Sequence, residues 1–338
     1  MSEAGELLAA DGLVKHFDAS GGLLDRWRWE KRRLVRRRRV VKALDGVSFA
    51  LGRGEPLGLV GESGCGKSTL VRLLFGLQRP SRGEVRYRGR RMDRLSPSSW
   101  LPYRRRMQKV FGDPCTSFDP RMTVGEILEE PLRFHFRAMN LSEAKERVAA
   151  GMEEAGVDPR LAGRYPGDLS LEQRQRINIA RALATDPELV VADDPFVPLD
   201  LSARDRILRL LGDLQRKRGF ALLFLSRDPW NVGPLAHRAA VMYRGILCEL
   251  APARELFETP RHPYSRALLS AVPRPGDAGG RRARLVGEAP PSIFQPSGCL
   301  LHPRCLFAND RCGVEVPRFL PTGSGAWVAC HGVEEGRL

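Results

Sequence analysis

The stretch GESGCGKST at residues 61–69 matches in full the pattern G-x4-G-K-[ST], a glycine-rich turn between a buried strand and a helix. The apolar run Leu57–Val60 precedes it, and a helical pattern over Ser68–Leu77 follows. Glycines allow successive backbone N–H groups to point at phosphate oxygens, and the helix N-terminus adds its dipole. The stretch therefore predicts a nucleotide-phosphate site made of Gly61, Ser63, Gly64, Cys65, Gly66, Lys67, Ser68 and Thr69.

Two side chains of this loop and two carboxylates downstream have predicted roles at the nucleotide. Lys67 reaches the β and γ phosphates, and the Ser68 hydroxyl is a ligand of the accompanying Mg²⁺. An apolar strand predicted over Glu188–Ala192 runs into Asp193 and Asp194. Beside a phosphate loop, such a strand end predicts Asp193 at the Mg²⁺ ion and Asp194 near the attacking water.

Length and composition bound the class of the protein. The 338 residues suit one large domain or two ordinary ones. With 42% hydrophobic residues the chain can bury a core, and its formal charge of +15 favours an anionic partner such as a nucleotide, a nucleic acid or an acidic lipid surface. No apolar run approaches the roughly 18–20 residues of a membrane-spanning helix. The acidic N-terminus MSEAGELLAADG does not fit a signal peptide, so we expect a cytosolic chain or one docked on the cytosolic side of another protein.

Much of the positive charge is local. The run RWRWEKRRLVRRRRVVK at residues 26–42 has ten basic residues and one acidic residue, so it supplies nine of the fifteen excess charges. Three interpretations are open: a solvated hairpin insertion, a contact with anionic lipid in which Trp27 and Trp29 suit the interface, or nucleic-acid binding. No base-reading motif accompanies the run, which disfavours the last.

Apolar periodicity predicts the remaining elements. A helical region over 124–165 contains a helix that begins at Ser142 as N-cap. Beyond Pro260 proline, glycine, arginine and cysteine dominate, which is typical of an appended domain with little regular structure. Two further helices and a buried strand are predicted, over Leu169–Leu183, Ser202–Arg216 and Ala221–Leu225.

The helix over 169–183 opens with LSLEQ, and here the sequence resembles the ATP-binding cassette (ABC) ATPases, whose signature LSGGQ occupies the same place before the acidic strand. More narrowly, the chain resembles the ATPase subunits of oligopeptide, dipeptide and nickel importers. The segments that carry this second resemblance are 61–69, 113–123, 164–166 and RHPYSRALL at 261–269.

The resemblance implies a fold. It is α/β: a P-loop NTPase cassette of the ABC type, with a parallel-sheet core, an antiparallel β subdomain, a helical subdomain around 100–170 and a small cysteine-rich C-terminal domain. The corresponding division places the ATPase domain at 1–260 and the importer-type extension at 261–338.

The resemblance also implies a function, the nucleotide-binding subunit of a peptide-class importer. Such a subunit binds Mg·ATP as a heterodimer with a second ATPase, two transmembrane permease subunits and an extracytoplasmic substrate-binding protein, at the cytoplasmic face of the membrane; no nucleic acid is expected. Phe17 matches the residue that stacks on adenine, with a plain core phenylalanine as the alternative, and Asp200 matches the loop aspartate at the dimer seam. The segment that faces the partner's ATP is Ser170, Leu171, Glu172 and Gln173.

Four positions depart from the family pattern. Gly112 replaces a glutamine, Leu171 and Glu172 replace two glycines, Asp194 replaces the catalytic glutamate and Arg227 replaces the switch histidine. Glu172 introduces negative charge toward a phosphate, Asp194 is one methylene shorter than glutamate, and arginine cannot exchange protons near neutral pH.

These departures predict a subunit that binds Mg·ATP and hydrolyses it poorly at its own site. A merely slow enzyme, and a regulatory or structural ABC subunit that barely hydrolyses ATP, are the alternatives. A nucleic-acid-associated ABC ATPase is a third, less favoured, alternative.

Four cysteines lie within 32 residues near the C-terminus: Cys299, Cys305, Cys312 and Cys330. In a reducing compartment such a group favours a metal, but its spacing lacks the Cys-x2–4-Cys pairs typical of zinc. The resemblance implies a 4Fe–4S cluster at these residues. Zinc or another metal, and free or incidentally paired thiols, stay open.

Overall fold

The computed structural model describes residues 5–20, 27–30, 33–36, 39–196, 199–272, 285–287, 295–323 and 325–338. Its strands are β1 (Glu6–Asp18), β2 (Trp27–Glu30), β3 (Arg33–Arg36), β4 (Val40–Gly52), β5 (Pro56–Val60), β6 (Arg82–Tyr87), β7 (Arg90–Arg91), β8 (Met107–Val110), β9 (Leu189–Asp193), β10 (Ala221–Ser226), β11 (Arg238–Tyr243), β12 (Ile246–Pro252), β13 (Leu320–Pro321) and β14 (Trp327–Val328). Its α-helices are α1 (Lys67–Leu74), α2 (Leu101–Arg106), α3 (Pro114–Ser117), α4 (Val124–His135), α5 (Leu141–Glu154), α6 (Leu171–Leu183), α7 (Leu201–Arg218), α8 (Ala253–Glu258), α9 (Pro263–Ala271), α10 (Asp310–Val314) and α11 (His331–Glu334).

A mixed sheet of order β13-β14-β12-β11-β5-β10-β9-β8 forms the centre of the molecule. The strands from β11 to β8 run parallel, while β12, β14 and β13 are antiparallel at one edge. Strands β5 and β10 are buried along their whole length, which explains their continuous apolar runs. Because carboxyl ends of parallel strands share one edge of a sheet, the loops after β5, β10, β9 and β8 lie side by side.

The antiparallel β subdomain is a second sheet of order β4-β1-β6-β7. Its two long strands, β1 and β4, pair along most of their length with several register shifts. Between them the basic run forms a two-stranded antiparallel hairpin of β2 and β3, with Trp27 opposite Arg36 and Glu30 opposite Arg33. The hairpin interpretation therefore agrees with the backbone, while contacts with lipid or nucleic acid stay untested.

The helical subdomain packs α4, α5 and α6 around a core of its own, in which Val124, Ile127 and Met152 are almost fully buried. The expected N-cap Ser142 is wrong. Asn140 caps α5, because its side chain accepts a hydrogen bond from the Glu143 N–H at 2.9 Å. Ser142 lies inside the first turn and bonds to the Glu146 carboxylate instead.

The C-terminal residues do not support a separate small cysteine-rich domain. Strand β14 pairs with β12, with Val328 opposite Glu249, and so extends the central sheet. Leu300, Leu301 and Ala326 are buried in the same core cluster as the strands β9 and β10. Over its described residues the extension is thus part of the core that supports the sheet, although it is poor in regular structure as the composition predicted.

Candidate functional site

The glycine-rich loop joins β5 to α1, and its glycines are required by geometry. Gly66 has a φ of +114° at the N-cap of α1, and a Cβ atom there would lie 2.4 Å from the Ala43 carbonyl oxygen. At Gly61 a Cβ atom would lie 2.3 Å from the Met242 carbonyl oxygen. Only glycine fits these positions, so the backbone can form the concave surface that phosphate oxygens need.

Lys67 is buried at the start of α1 and folds back over the loop. Its Nζ donates hydrogen bonds to the carbonyl oxygens of Gly61 at 2.5 Å and Glu62 at 3.2 Å. A cavity of about 350 Å³ opens in front of it. The structure brings most of the predicted site residues to this cavity, whose wall includes 63–69, Asp193, Asp194 and Arg227.

The two carboxylates at the end of β9 are each paired with a cation of the same chain. Asp193 Oδ2 accepts a hydrogen bond from Lys109 Nζ at 2.8 Å, and Asp194 Oδ2 accepts one from Arg227 Nε at 2.8 Å. Asp194 has a φ of +49°, in the left-handed region that few non-glycine residues adopt. Asp194 and Arg227, which are both predicted at the site, therefore contact each other directly.

Sequence reasoning missed Lys109. It lies on β8, whose parallel register places it opposite Val191 of β9. The available signal was a lysine within the short strand β8. The pairing of β8 with β9, however, is a long-range feature that the local pattern does not reveal.

Gly112, where the family has glutamine, lies against the backbone of the acidic strand end. A Cβ atom at Gly112 would lie 2.7 Å from the Asp193 carbonyl oxygen and 3.0 Å from that of Asp194. The loop after β8 thus approaches the loop after β9 more closely than a side chain would allow. This position contributes backbone only.

The altered signature segment forms the first turn of α6. Ser170 caps the helix and exchanges hydrogen bonds with Gln173, while Leu171 is exposed. The Glu172 carboxylate contacts Arg206 at 2.6 Å and Arg176 at 2.9 Å. Its hydrogen bonds with Arg206, and then with Arg176, hold the pKa of Glu172 below its usual range against the effect of burial. The negative charge expected to face a phosphate is therefore balanced within the chain.

Asp200 and Phe17 have local roles beside their predicted ones. Asp200 caps α7, and its carboxylate accepts hydrogen bonds from the Ala203 N–H at 2.8 Å and the Ser202 hydroxyl at 3.0 Å. Phe17 is half-buried on β1 opposite Val41, and Val41 lines the cavity. Their predicted contacts, with the dimer partner and with adenine, stay predictions.

The RHPY segment at 261–264 packs against the glycine-rich loop and hydrogen-bonds to it. The sequence did not suggest this role. The fully buried Tyr264 hydroxyl accepts a hydrogen bond from the Glu62 N–H at 3.4 Å. His262 Nδ1 accepts one from the Tyr264 N–H at 3.0 Å, and burial lowers the pKa of His262 to about 4. The buried Glu249 carboxylate accepts from the N–H groups of Arg261 and His262. These contacts link the start of the C-terminal extension to the phosphate site.

The four clustered cysteines lie near one another as free thiols. The Cys299 N–H donates to the Cys312 carbonyl oxygen at 2.9 Å. Burial raises the pKa of Cys299 to about 11, and Cys312, Cys330 and Cys305 add to this rise. Yet among the residues that the structure describes, no three His, Cys, Asp or Glu side chains are arranged to hold a metal ion.

Comparison with known proteins identifies the family. The ABC transporter family model matches residues 44–197, and the model of the oligopeptide/dipeptide transporter C-terminal region matches residues 248–312. A probable peptide ABC transporter ATP-binding protein of Sinorhizobium fredii is 44% identical over 98% of this chain and 90% of its own. The oligopeptide transport ATP-binding protein of Escherichia coli is 40% identical over 92% of each chain, and the dipeptide transport ATP-binding protein of Haemophilus influenzae is 40% identical over 97% of each.

Solved structures give the same fold. A dimeric bacterial ABC transporter cassette has a TM-score of 0.63 and 27% identity, covering 73% of this chain and 99% of that one. A cassette bound to ADP and phosphate after hydrolysis has a TM-score of 0.62 and 26% identity, with the same coverage. None of the helices in the described ranges is both long and apolar enough to cross a membrane. The chain belongs to the ATP-binding subunits of the oligopeptide/dipeptide ABC transporter family.

Proposed function

We propose that this chain is the nucleotide-binding subunit of a peptide-class importer, and that ATP binding at its phosphate loop powers uptake. The names of the relatives, which are peptide, oligopeptide and dipeptide transport proteins, and the match to the C-terminal family support the substrate class. Its partners are a second, different ATPase, two transmembrane permease subunits and an extracytoplasmic substrate-binding protein. It sits peripherally at the cytoplasmic face, with an ATPase part at 1–260 and an importer-type extension at 261–338.

In the proposed dimer each ATP contacts both chains. Each ATP is held between the phosphate loop of one chain and the signature helix of the other; in this chain these are the loop at 61–69 and the helix α6, which Ser170 caps. In this chain that helix start presents the exposed Leu171 where the family has glycine. A bulky side chain at this point keeps the helix farther from the partner's nucleotide, so the partner's site is affected as well.

One contact carries the proposal that hydrolysis at the chain's own site is impaired. Asp194 stands where the family has its catalytic glutamate, and its carboxylate is bound by Arg227 at 2.8 Å. A general base must reach the attacking water at about 2.6–3.2 Å and take its proton. Asp194 is one methylene shorter than glutamate, Arg227 engages one of its oxygens, and arginine, unlike histidine, cannot serve as a proton acceptor near neutral pH. ATP binding is thus retained while its hydrolysis is slow.

Ser68 and Asp193 are the residues that would hold the Mg²⁺ that the family implies with ATP, where the ion would shield phosphate charge. The Ser68 hydroxyl is a suitable oxygen ligand at the cavity wall. Asp193 fits the role less well, because Lys109 already occupies one of its oxygens. The family's glutamine, which could complete the ligand set, is replaced in this chain by Gly112, which has no side chain.

Single-turnover hydrolysis measures the proposed impairment directly. The assembled heterodimer is given radiolabelled ATP after the partner's own site has been disabled, and ADP formation is followed. We expect ADP to form about 100-fold or more below the rate of an ordinary ABC site. The negative control is the Lys67→Ala variant of this chain. Rapid ADP formation at this loop would refute the impairment, and failure to bind ATP at all would refute the proposed function.

We also propose that Cys299, Cys305, Cys312 and Cys330 bind an iron–sulfur cluster, as the family resemblance implies. Backbone N–H groups that donate to three of the sulfurs support this: Leu301 to Cys299, Phe307 to Cys305, and Gly332 and Val333 to Cys330. Such donors stabilise metal-bound thiolates.

The four thiols are not arranged as the ligands of a metal ion in the structure. The test therefore looks for the cluster itself, in protein purified without air so that a bound cluster is not oxidised. The measurement is iron and sulfide content together with absorbance near ~400 nm. Cys305→Ser should remove the colour, while Cys115→Ser, a variant of an isolated exposed cysteine, should keep it. Colourless anaerobic protein without iron would contradict the cluster.

A further inference from the structure

We propose that Lys109 takes the charge-balancing place of the divalent cation beside Asp193, so that this chain binds ATP without needing Mg²⁺. The inference rests on the proposed nucleotide-binding function and adds what the bound nucleotide requires. It concerns a residue that lies outside the phosphate loop, the signature segment and the acidic strand end.

The geometry places an ammonium group where a metal ion would share the same carboxylate. Lys109 Nζ lies 2.8 Å from Asp193 Oδ2, and both side chains are mostly buried, with 25% and 19% of their surface exposed. The ammonium also lies 5.0 Å from the ring centre of Phe111, a distance at which a cation is attracted to an aromatic face. Lys109 is therefore held at the carboxylate from two directions.

The ion pair disfavours an ordinary Mg²⁺ site at the same carboxylate. Mg²⁺ requires oxygen ligands at about 2.0–2.1 Å in near-octahedral geometry. A lysine ammonium has three donors and no acceptor, so it cannot itself coordinate the ion. A metal ion at Asp193 would have to share the carboxylate with the Lys109 ammonium, whose positive charge repels it.

The neighbouring residues do not supply further ligands for a metal ion either. The second carboxylate, Asp194, is bound by Arg227, so both negative charges at this strand end are matched by cations of the chain. At Gly112 even a Cβ atom would approach the Asp193 carbonyl oxygen to 2.7 Å. A side chain that could reach a metal is therefore not merely missing but sterically excluded from the present backbone.

Lys109 is also suitably placed to serve the nucleotide. It lines a side cavity of about 670 Å³ whose wall shares Ser68 and Asp193 with the nucleotide cavity. Lysine carries its charge on a flexible four-carbon stem and is a common phosphate ligand. Its ammonium lies beside Asp193, a residue that both cavities share, and there it adds the positive charge that a metal would contribute.

The test compares ATP affinity in excess Mg²⁺ and in excess EDTA, using trinitrophenyl-ATP fluorescence on the full-length chain. The wild-type dissociation constant should differ by less than about threefold between the two buffers. Lys109→Met, which keeps length and removes charge, should bind at least about tenfold more weakly in EDTA than in Mg²⁺. Lys109→Arg should behave as wild type. The matched control is Lys145→Met, at an exposed position on α5.

The outcomes separate the two claims. A wild-type chain that loses tenfold or more of its affinity in EDTA overturns the inference, whether or not any variant folds. A wild-type chain and a Lys109→Met chain that are equally indifferent to Mg²⁺ also overturn it, because the lysine would then not be responsible. A chain that binds the nucleotide in neither buffer refutes the proposed function instead.

Discussion

The two sides of the nucleotide cavity keep very different amounts of the chemistry expected of an ABC subunit. On one side the loop at 61–69 has every residue of its pattern, with Gly66 in the one conformation that turns the backbone toward a phosphate. On the other side the loops that follow β8, β9 and β10 carry Gly112, Asp194 and Arg227 in place of the family's side chains. The phosphate-loop pattern is complete, whereas three side chains that the family pattern has on the opposite side are replaced.

The difference shows that the fold separates the two tasks physically. Phosphate binding depends mainly on backbone N–H groups held by glycine conformations, which do not change when other loops mutate. Hydrolysis depends on the length, charge and proton affinity of a few side chains at different strand ends. One side of the cavity can therefore lose its chemistry while the other keeps it.

The largest expected effect comes from breaking the intact side. Lys67→Ala removes the buried ammonium that lies against the loop carbonyl oxygens, and ATP affinity should fall about 100-fold or more. Equilibrium binding of a fluorescent ATP analogue measures the loss, with thermal unfolding as the control for folding. Unchanged affinity in a folded variant would show that the loop is not the binding site.

The next largest effect comes from repairing the altered side. The double variant Asp194→Glu with Arg227→His restores the length of the base and a side chain that can exchange protons. Single-turnover hydrolysis should rise about 100-fold over wild type when the partner's site is disabled. Each single variant should rise less, since both groups act on the same water. A double variant as slow as wild type would locate the defect at Gly112 instead.

A smaller effect concerns His262, which lies in the segment that contacts the phosphate loop, and the pH dependence of stability that it causes. His262 is neutral in the fold, because burial lowers its pKa to about 4, whereas the unfolded chain protonates near 6.5. The unfolded state therefore binds more protons between these values, so stability is full above about pH 6.5 and falls as the pH is lowered toward 4. From pH 7.5 to pH 5 this histidine should cost about 2 kcal/mol of unfolding free energy.

Urea unfolding at the two pH values measures that cost. His262→Asn keeps an acceptor for the Tyr264 N–H and should remove most of the pH dependence, although its stability at pH 7.5 will be lower. If wild type and this variant lost the same free energy between the two pH values, the burial of His262 would not be the cause.

The smallest expected effect concerns one hydrogen bond. Tyr264→Phe removes the hydroxyl that accepts from the Glu62 N–H at 3.4 Å, and it should cost about 1 kcal/mol of stability. ATP affinity should fall slightly with it, since the loop loses a fixed point. Tyr165→Phe, at a half-exposed ring, is the matched control. Equal effects of the two variants would remove the special role of Tyr264.

Features written in short contiguous patterns could be predicted from the sequence. The loop at 61–69, the strand before Asp193 and the helix after Ser170 all follow from local glycines, apolar runs and capping residues. The pairing of Lys109 with Asp193 could not be predicted, because it joins residues 84 positions apart through the register of two strands. The Arg206 partner of Glu172, 34 positions away, was missed for the same reason.

Two errors have a different physical origin. Asn140 and Ser142 are both good caps, and a difference of two residues in where a helix starts is not encoded in apolar spacing. The C-terminal segment was expected to stand apart because its composition is poor in regular structure. Its place in the core depends on the two-residue strand β14, which is too short to leave a sequence pattern.

The contact of Tyr264 with the phosphate loop has a consequence for how the protein is made. The loop at 61–69 leaves the ribosome early, yet the hydroxyl that supports it is added about two hundred residues later, and the strand that edges the sheet comes later still. Domains form as they emerge during synthesis. For most of its elongation the nascent chain therefore has a phosphate loop that lacks the supporting contact with Tyr264. The phosphate loop therefore gains its last supporting contact only as translation nears its end.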